Sequence, residues 1–501
     1  MGRTQMRWTS WGRKATVAVF MGALLAPLIA VGFSNHVRET VAVVAGNPGE
    51  WQAQSNRLRA ATPLWDNAVS AYSTLLYDLG TSSNEGVGVV GRDGWMFLGD
   101  VQNANFSQAI GRRQYTQQEI DAWASVVDDQ REWLAARGIP MVFAVGPAKW
   151  SVYPDQLPAW TDDVREETIF DQILAARPDL GVVDLRPGLR EARDTADTYS
   201  KLNSHWTDYG AYVGWQGIAD AIEQRLPGVD AHASALESVT TSDDGPNEFD
   251  AMMGVRAPNP WTTPELAQPL PDYQVPQGDG TAVTLSGDQV TNLLDLPRTT
   301  TNPDAGNDLT VLVLRDSMGD ALSPYIQAAF GTTVQVRHNI DSPQEAPNLA
   351  AMVDLVQPDL VLVEMAERHF NSGLPDGEAW AAANAYDRAD AGAGSSWTSS
   401  DPAAATLSVE GALGTGTSST VRWDAPTAGT AVLRVSLLAS GPGTMTVRAD
   451  DGTARSLRVA RDSNVLFAEI PVAAGAQSVT LELGAGSAAA ELTSLSVRPA
   501  S

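Results

Sequence analysis

The chain has 501 residues, of which 43% are apolar and 19% charged, and it carries a formal net charge of −27. It is too long for one ordinary domain and apolar enough to bury a substantial core, so we expect two or three folded units. The acidic balance and the scattered basic residues exclude nucleic acid as a partner, because phosphate binding needs clustered lysines and arginines. The lack of cysteine excludes disulfides, thiol chemistry and Cys-based metal sites.

The N-terminus has the pattern of a membrane segment. Residues 15–33 are uncharged and mostly apolar, and they follow four basic residues, Arg3, Arg7, Arg13 and Lys14. As a helix this run could cross about 30 Å of hydrocarbon, and the positive flank favours a cytoplasmic N-terminus. We therefore expect residues 1–34 to be a cytoplasmic tail and an uncleaved anchor, with the remainder at the extracytoplasmic face of the cell envelope. A cleaved signal peptide, which would make the protein secreted, is the alternative.

Residues 35–86 are predicted to form a juxtamembrane helical stalk, and residues 87–386 an α/β domain. In the latter, short β-rich runs alternate with helical patterns, which is typical of a largely parallel sheet. The expected strands are 140–145, 181–185, 309–314, 333–336 and 360–364, and the expected helices are 116–137, 207–226, 319–330 and 343–356. Residues 228–306, rich in Pro, Asn, Asp and Thr, interrupt the alternation and are interpreted as an excursion with a few irregular strands.

A second domain is predicted after the Ala- and Gly-rich linker at 381–396. Residues 398–501 contain short alternating runs separated by Gly-rich turns, which indicates a β-sandwich of roughly 100 residues. Its architecture resembles carbohydrate-binding modules, but its aromatic residues are only Trp423 and Phe467. Because sugar stacking needs exposed rings, we expect a structural or weakly binding accessory module.

Ser317 is the candidate nucleophile. The apolar run 311–314 is followed by Arg315, Asp316 and Ser317 and then by a helical pattern. This puts Ser317 at a strand-to-helix turn on the carboxyl edge of the sheet, where open α/β folds carry their sites. Backbone N–H groups of the following helix could stabilise an oxyanion there. A helix-capping serine is the alternative interpretation.

A serine nucleophile needs a neighbouring base, usually imidazole, and the chain has five histidines. His205 stands in the polar segment 199–211, which leads into a helix. The other four lie beside the membrane run, in the excursion, or after predicted strands: His36, His232, His338 and His369. The dense local pattern around His205 favours it as the base.

Four motifs, in order, resemble the AlgX/AlgJ-type polysaccharide O-acetyltransferase family. Residues 91–98 (GRDGWMFL) are similar to its G-x-x-G-W-L-F-L opening, and residues 147–154 (PAKWSVYP) to its P-x-K-x-x-x-Y-P loop. Residues 203–211 (NSHWTDYGA) resemble D-x-H-W-T-x-x-G-A, and residues 315–317 (RDS) resemble the D-S nucleophile turn.

The resemblance implies an SGNH hydrolase-like three-layer domain, circularly permuted so that the histidine precedes the serine. It implies an O-acetyltransferase that modifies an envelope or exported polysaccharide through an acyl-serine intermediate, without metal or cofactor. Ser317 would be the nucleophile and His205 the general base and later the acid. The implied partners are the polysaccharide, the membrane through the N-terminal helix, and a multi-pass membrane O-acyltransferase as acetyl donor.

One motif position departs from the family pattern, because Asn203 stands where the family has Asp. In the serine-protease template this change costs about 10⁴ in turnover. Three outcomes stay open: Asn203 orients His205, a substitute acid serves, or the site binds without catalysis. Asp208, Asp184 and Glu364 are the candidate substitutes. The alternative functions are accordingly an attenuated polysaccharide-binding or scaffold protein and a carbohydrate acetyl esterase.

Five further residues, four of them in or beside these motifs and one at a strand end, are candidates for substrate binding. Cations could offset the acidic surface near a bound sugar, and indole faces stack on sugar rings. A structural role in the core or in ion pairs is the alternative for each. These residues are Lys149, Arg315, Arg368, Trp150 and Trp206.

Overall fold

The computed structural model describes residues 63–374, 377–391, 412–413, 418–425, 427–484 and 487–499. The predicted anchor at 15–33, residues 35–62 of the predicted stalk and residues 392–396 of the predicted linker lie outside these ranges, whereas residues 381–391 of that linker are helical. Within them, no helix combines the length and the apolar character that a membrane span requires.

The first domain alternates helices and strands as the sequence predicts. In chain order its elements are α1 Pro63–Asp78, β1 Gly88–Val90, β2 Met96–Leu98, α2 Asn105–Ala109, α3 Gln117–Ala135, β3 Met141–Gly146, α4 Lys149–Val152, α5 Ile169–Ala176, β4 Val182–Asp184, α6 Arg186–Ala192, α7 Asp208–Arg225, β5 Leu236–Ser242, α8 Glu248–Met253, β6 Trp261–Leu266, β7 Tyr273–Pro276, β8 Ala282–Leu285, β9 Arg298–Thr301, β10 Thr310–Arg315, α9 Ser323–Ala329, β11 Thr332–Arg337, α10 Leu349–Val356, β12 Leu360–Ala366 and α11 Gly377–Ala391. Short 3-10 turns include Ser317–Asp320 and Glu367–Ser372.

The central sheet has eight strands in the order β4-β3-β12-β10-β11-β9-β7-β8. The first five are parallel, which confirms the predicted α/β domain. The last three pair antiparallel, so the sheet is mixed rather than parallel throughout. These three strands belong to the excursion, where short connections allow antiparallel pairing without crossover helices. The excursion therefore extends the sheet.

Two apolar layers cover the parallel strands. Val142 and Ala144 of β3 face one layer, which includes Ile218 of α7, whereas Phe143 faces the other, which includes Trp123 of α3. Burial on both faces explains why these strands appear in the sequence as continuous apolar runs. The result is the predicted three-layer arrangement.

Helix α1 packs on this domain. Tyr77 Oη donates to the carbonyl of Gly94 at 2.8 Å, and the backbone N–H of Arg256 donates to Thr74 Oγ1 at 2.9 Å. The predicted stalk is thus helical from Pro63, but this part lies on the domain surface instead of standing apart from it.

The C-terminal region is rich in antiparallel sheet, as predicted. Its strands are β13 Ala412–Leu413, β14 Ser418–Ala425, β15 Gly429–Ala439, β16 Gly443–Ala449, β17 Ala454–Val459, β18 Asp462–Val472, β19 Gly475–Leu483 and β20 Ala490–Pro499. They form two four-stranded sheets, β13-β20-β15-β18 and β14-β19-β16-β17. Phe467 is buried against Tyr386 of α11, with ring centroids 5.7 Å apart, so this ring is an interdomain contact. The side chain of Trp423 lies outside the described part of the structure.

Candidate active site

The turn after β10 carries Ser317, and the carboxylate of Asp316 shapes it. Asp316 Oδ1 accepts the Met318 N–H at 2.8 Å and Oδ2 accepts the Ala366 N–H at 2.8 Å. Burial alone would raise the pKa of this carboxyl, but hydrogen bonds from His338 and His369 hold it well below its usual 3.8. An ionised carboxylate therefore holds the turn from below.

His205 lies between Ser317 and Asn203. Its Nε2 is 2.9 Å from Ser317 Oγ, and its Nδ1 is 3.0 Å from Asn203 Oδ1, which also accepts the His205 backbone N–H at 2.9 Å. Nδ1 therefore carries the hydrogen, and Nε2 is free to take the serine proton. Burial lowers the pKa of His205, partly opposed by the Glu248 carboxylate, so the ring is neutral at pH 7. The structure thus brings together the three residues that the motifs single out.

The amide of Asn203 is oriented by the excursion. Its Nδ2 donates to the carbonyl of Pro246 at 3.0 Å, which leaves Oδ1 directed at His205. Asn259 supports the same contact, because its Nδ2 donates to Pro246 O at 2.8 Å and its Oδ1 accepts the Leu202 N–H at 2.9 Å. The loop before His205 and the excursion are therefore connected by side-chain amides.

Lys149 is a structural residue rather than an exposed substrate ligand. Its Nζ donates to the carbonyls of Ser200, Lys201 and Asn203 at 3.1, 3.0 and 2.8 Å, and the residue is 3% exposed. Burial lowers its pKa to about 7, against the opposing effect of the Glu248 carboxylate. The three carbonyls use all three donors of an ammonium group. The lysine of the 147–154 motif thus holds the loop that carries Asn203 and His205.

Both candidate tryptophans are buried, which corrects their expected role as a sugar platform. Trp206 is 1% exposed and donates its Nε1–H to the carbonyl of Met318 at 3.0 Å. Trp150 is 2% exposed and donates to Asn105 Oδ1 at 2.9 Å. Trp206 therefore links the His205 loop to the Ser317 turn from within the core.

The expected substrate role of Arg315 is also corrected. This residue is fully buried and donates to Gln335 Oε1 at 2.8 Å, Asp320 Oδ1 at 2.6 Å and the carbonyl of Thr291 at 2.6 Å. The N–H groups of its guanidinium are used in hydrogen bonds to these acceptors near the Ser317 turn, so the group is not available to a ligand.

Arg368 is the candidate substrate ligand whose charged group has no partner among the described residues. It is half-buried and lines a cavity of about 20 Å³ together with Ser204 and Met318. Its guanidinium makes no hydrogen bond or ion pair with the other described residues, and its charge lowers the pKa of His205 after the larger effect of burial. A cavity of this size admits about one water, so the substrate role of Arg368 stays a prediction.

The candidate substitute acids do not contact His205: two have other partners, and the third is a buried carboxyl whose oxygens have no hydrogen-bond partner among the described residues. Asp208 Oδ2 accepts from Trp261 Nε1 at 3.0 Å, and Asp184 pairs with Arg186 at 2.8 Å. Glu364 is fully buried beneath the turn, and burial raises its pKa well above the usual 4.5, so its carboxyl is neutral. In the described chain, none of the three forms a hydrogen bond or ion pair with His205.

The sequence analysis missed a different carboxylate, that of Glu248. Its Oε2 lies 3.9 Å from His205 Nδ1 and accepts the Ser204 N–H at 2.7 Å. Glu248 is in the first turn of α8, within the excursion. The helix-capping Asn247 is a local sign of that helix, but no spacing in the sequence connects residue 248 with residue 205.

Asp316, His338 and His369 have the residue types of a metal site, and one ligand atom of each lies within 4.8 Å of the others. His338 Nδ1 accepts the Ile340 N–H at 3.1 Å, so Nε2 keeps its hydrogen and donates to Asp316 at 3.3 Å. A metal would need the lone pair of that Nε2. The group fits a hydrogen-bonded support of the Ser317 turn better than a metal centre.

Comparisons with known proteins connect this site to a family. Residues 89–295 match the model for the SGNH hydrolase-like domain of the acetyltransferase AlgX; this range includes Asn203 and His205 and ends before Ser317. A probable alginate O-acetylase AlgJ of Pseudomonas aeruginosa is 32% identical over 168 residues, which are 33% of this chain and 39% of that protein. The chain spans 39% to 53% of the length of the curated AlgJ relatives that it matches.

Two solved structures are also similar. AlgX of Pseudomonas aeruginosa is 14% identical, with a TM-score of 0.47, over 86% of this chain and 99% of that one. PatB1 of Bacillus cereus with a sulfonyl adduct is 16% identical, with a TM-score of 0.44, over 59% of this chain and 98% of that one. The family model and the AlgJ relatives confirm the resemblance that the four motifs indicate, and residues 89–295 are similar to the SGNH hydrolase-like domain of AlgX/AlgJ-type acetyltransferases.

Proposed function

We propose that this protein is an extracytoplasmic O-acetyltransferase that transfers acetyl groups to a polysaccharide through an acyl-serine intermediate. The observation that carries the proposal is the hydrogen-bonded series Ser317 Oγ, His205 and Asn203, with contacts of 2.9 and 3.0 Å. The similarity to proteins named alginate O-acetylase supports an acetylated polysaccharide as product. The four basic residues followed by the apolar run at 15–33 support an anchored, exported protein. A multi-pass membrane O-acyltransferase as acetyl donor rests on the resemblance to the AlgX/AlgJ-type family alone.

The reaction follows from the three groups. His205 Nε2 takes the proton of Ser317 Oγ as that oxygen attacks the acetyl carbonyl. The leaving group departs with the proton from the imidazolium, and an acetyl ester remains on Ser317. A sugar hydroxyl then gives its proton to His205 and attacks this ester, which releases the O-acetylated sugar and restores the serine hydroxyl. With water in place of the sugar, the same groups produce an esterase.

The test uses the purified full chain with a chromogenic acetyl ester, a fluorophosphonate probe and alginate oligosaccharides as acceptors. We expect ester turnover, labelling of the peptide that contains Ser317, and acetylated oligosaccharides detected by mass spectrometry. Ser317→Ala should abolish all three, whereas Ser125→Ala, at an exposed serine on α3, should abolish none.

The second candidate is a polysaccharide-binding or scaffold protein of the same fold. The observation in its favour is Asn203, an uncharged group in the position of the triad acid. Wild-type protein that neither turns over the ester nor reacts with the probe, yet binds the oligosaccharides, would establish this candidate. Ester turnover without acetylated oligosaccharide would instead favour the esterase.

A further inference from the structure

We propose that Glu248 is the charged member of this site: it stabilises the imidazolium of His205 through space, while Asn203 serves as the neutral hydrogen-bond acceptor. Glu248 is thus a positioning residue that supplies a charge which the triad position lacks. The inference rests on the proposed function, because the imidazolium forms only when Ser317 gives up its proton.

The contacts of Glu248 hold its carboxylate beside the imidazole. Its backbone N–H donates to the carbonyl of Leu202 at 3.0 Å, and its Oε2 accepts the Ser204 N–H at 2.7 Å. These contacts lie on either side of Asn203 in the chain, so the carboxylate is held against the loop that carries His205. The resulting distance from Oε2 to Nδ1 is 3.9 Å, with the Glu248 side chain only 21% exposed.

Asn203 and Glu248 have separate tasks. The Nδ1 hydrogen points at Asn203 Oδ1, 3.0 Å away, so Glu248 does not take this hydrogen bond. A neutral amide oxygen sets the tautomer and the ring orientation but offers no net charge to an imidazolium. A carboxylate within about 4 to 6 Å favours the protonated ring without accepting its hydrogen.

The carboxylates of Asp316 and Asp320 also favour the protonated His205 ring, but each acts less than Glu248 and is engaged with another partner. Asp320 is paired with Arg315 at 2.6 Å, and Asp316 lies between two imidazoles. Arg368 acts in the opposite direction, since its positive charge disfavours the imidazolium. Among the described residues, His205 is the ion-pair partner of Glu248 within 4 Å. The Glu248 carboxylate also raises the pKa of the buried Lys149 ammonium, against the larger lowering effect of burial.

Glu248→Gln tests the charge with little change of shape, because the amide oxygen can still accept the Ser204 N–H. We expect kcat/KM for the acetyl ester to fall about 10- to 100-fold, and its acid limb to move to lower pH by about one unit. Asp250→Asn is the matched control: it removes the same charge from the same helix, where the carboxylate faces Arg256 at 3.1 Å. The control should stay within about twofold of wild type.

A second variant separates charge from folding. Asn203→Asp in the Glu248→Gln background restores a negative charge beside Nδ1 and should recover at least tenfold of the lost rate. Wild-type kcat/KM and an unmoved acid limb in Glu248→Gln would overturn the proposal, as would a loss that Asn203→Asp does not recover in a normally folded double variant.

An NMR titration of the labelled His205 imidazole separates this inference from the proposed function, because it needs no turnover. The titration midpoint should move to lower pH in Glu248→Gln and stay in place in Asp250→Asn. An inactive wild type with this shift would refute the acetyltransferase and retain the role of Glu248. An active wild type without the shift would do the reverse.

Discussion

Lys149→Met tests whether the buried lysine supports the His205 loop. The substitution keeps an unbranched side chain of similar length but removes the three donors that serve the carbonyls of Ser200, Lys201 and Asn203. An unsatisfied buried acceptor costs about 1–3 kcal/mol. Part of this cost is offset, since a buried ammonium is itself expensive, as its lowered pKa of about 7 indicates. We expect a net loss of about 2–3 kcal/mol, which lowers the Tm of the α/β domain by about 3–5 °C.

The kinetics of the same variant separate a structural role from substrate binding. If Lys149 holds the loop, kcat for the acetyl ester falls about tenfold or more while KM changes little, because His205 loses its alignment with Ser317. Lys201→Met is the control: it removes a lysine of the same loop whose Nζ donates to the carbonyl of Asp93 at 2.8 Å in an exposed position, the one hydrogen bond of this Nζ within the described part of the chain. An unchanged Tm together with a raised KM would refute the structural role and restore the substrate role expected from the sequence.

Three further predictions follow from buried titratable groups and from close packing at a glycine. Burial raises the pKa of Glu367 to about 7 from its usual 4.5, so its neutral form contributes a stability that is complete below pH 4.5 and is lost as the pH rises through 7. The Tm of wild type should therefore fall relative to that of Glu367→Gln between pH 4.5 and 7. Parallel curves of Tm against pH for the two proteins would contradict this expectation. Burial lowers the pKa of His205, so kcat/KM should hold at pH 6.5 and decline only below it, and an acid limb above pH 6.5 would argue against His205 as the base. A Cβ on Gly210 would overlap the carbonyl oxygen of Thr198, so Gly210→Ala should cost about 1–3 kcal/mol in thermal melts, whereas Gly306→Ala, with no atom within 4 Å, should be near neutral.

The meeting of Ser317 and His205 could be predicted because each lies in a local pattern with a clear physical meaning. An apolar strand followed by Asp-Ser puts the serine at the carboxyl edge of a parallel sheet, and the structure has this turn directly after β10. The polar segment before α7 likewise ends in a helix capped by Thr207, whose side chain accepts the Gly210 N–H. Such signals depend on a few consecutive residues.

Side-chain direction and nonlocal contacts could not be predicted in this way. Lys149 and Trp206 stand next to motif residues, and nothing in the sequence tells whether their polar atoms face a ligand or the core. The structure turns both inward, because backbone carbonyls of a second loop accept their hydrogens. The strands of the excursion were harder to recognise for another reason: β9 consists of Arg298–Thr301, whose polar residues pair at the antiparallel side of the sheet.

The excursion also changes how Asn203 should be understood. If Asn203 were only a triad acid that has lost its charge, its amide nitrogen would not be expected to have a specific hydrogen-bond acceptor. That nitrogen donates to the carbonyl of Pro246 at 3.0 Å, a contact that a carboxylate could not make. The same segment brings Glu248 to 3.9 Å from His205. Asparagine therefore suits this site, because the excursion accepts a hydrogen bond from Asn203 and also supplies the carboxylate of Glu248. The asparagine at this position does not by itself indicate that turnover has been lost. Asn203→Asp alone should therefore raise turnover by much less than the roughly 10⁴-fold effect of the serine-protease template. Glu248 already supplies a negative charge, and the new carboxylate at position 203 would lie against the Pro246 carbonyl oxygen.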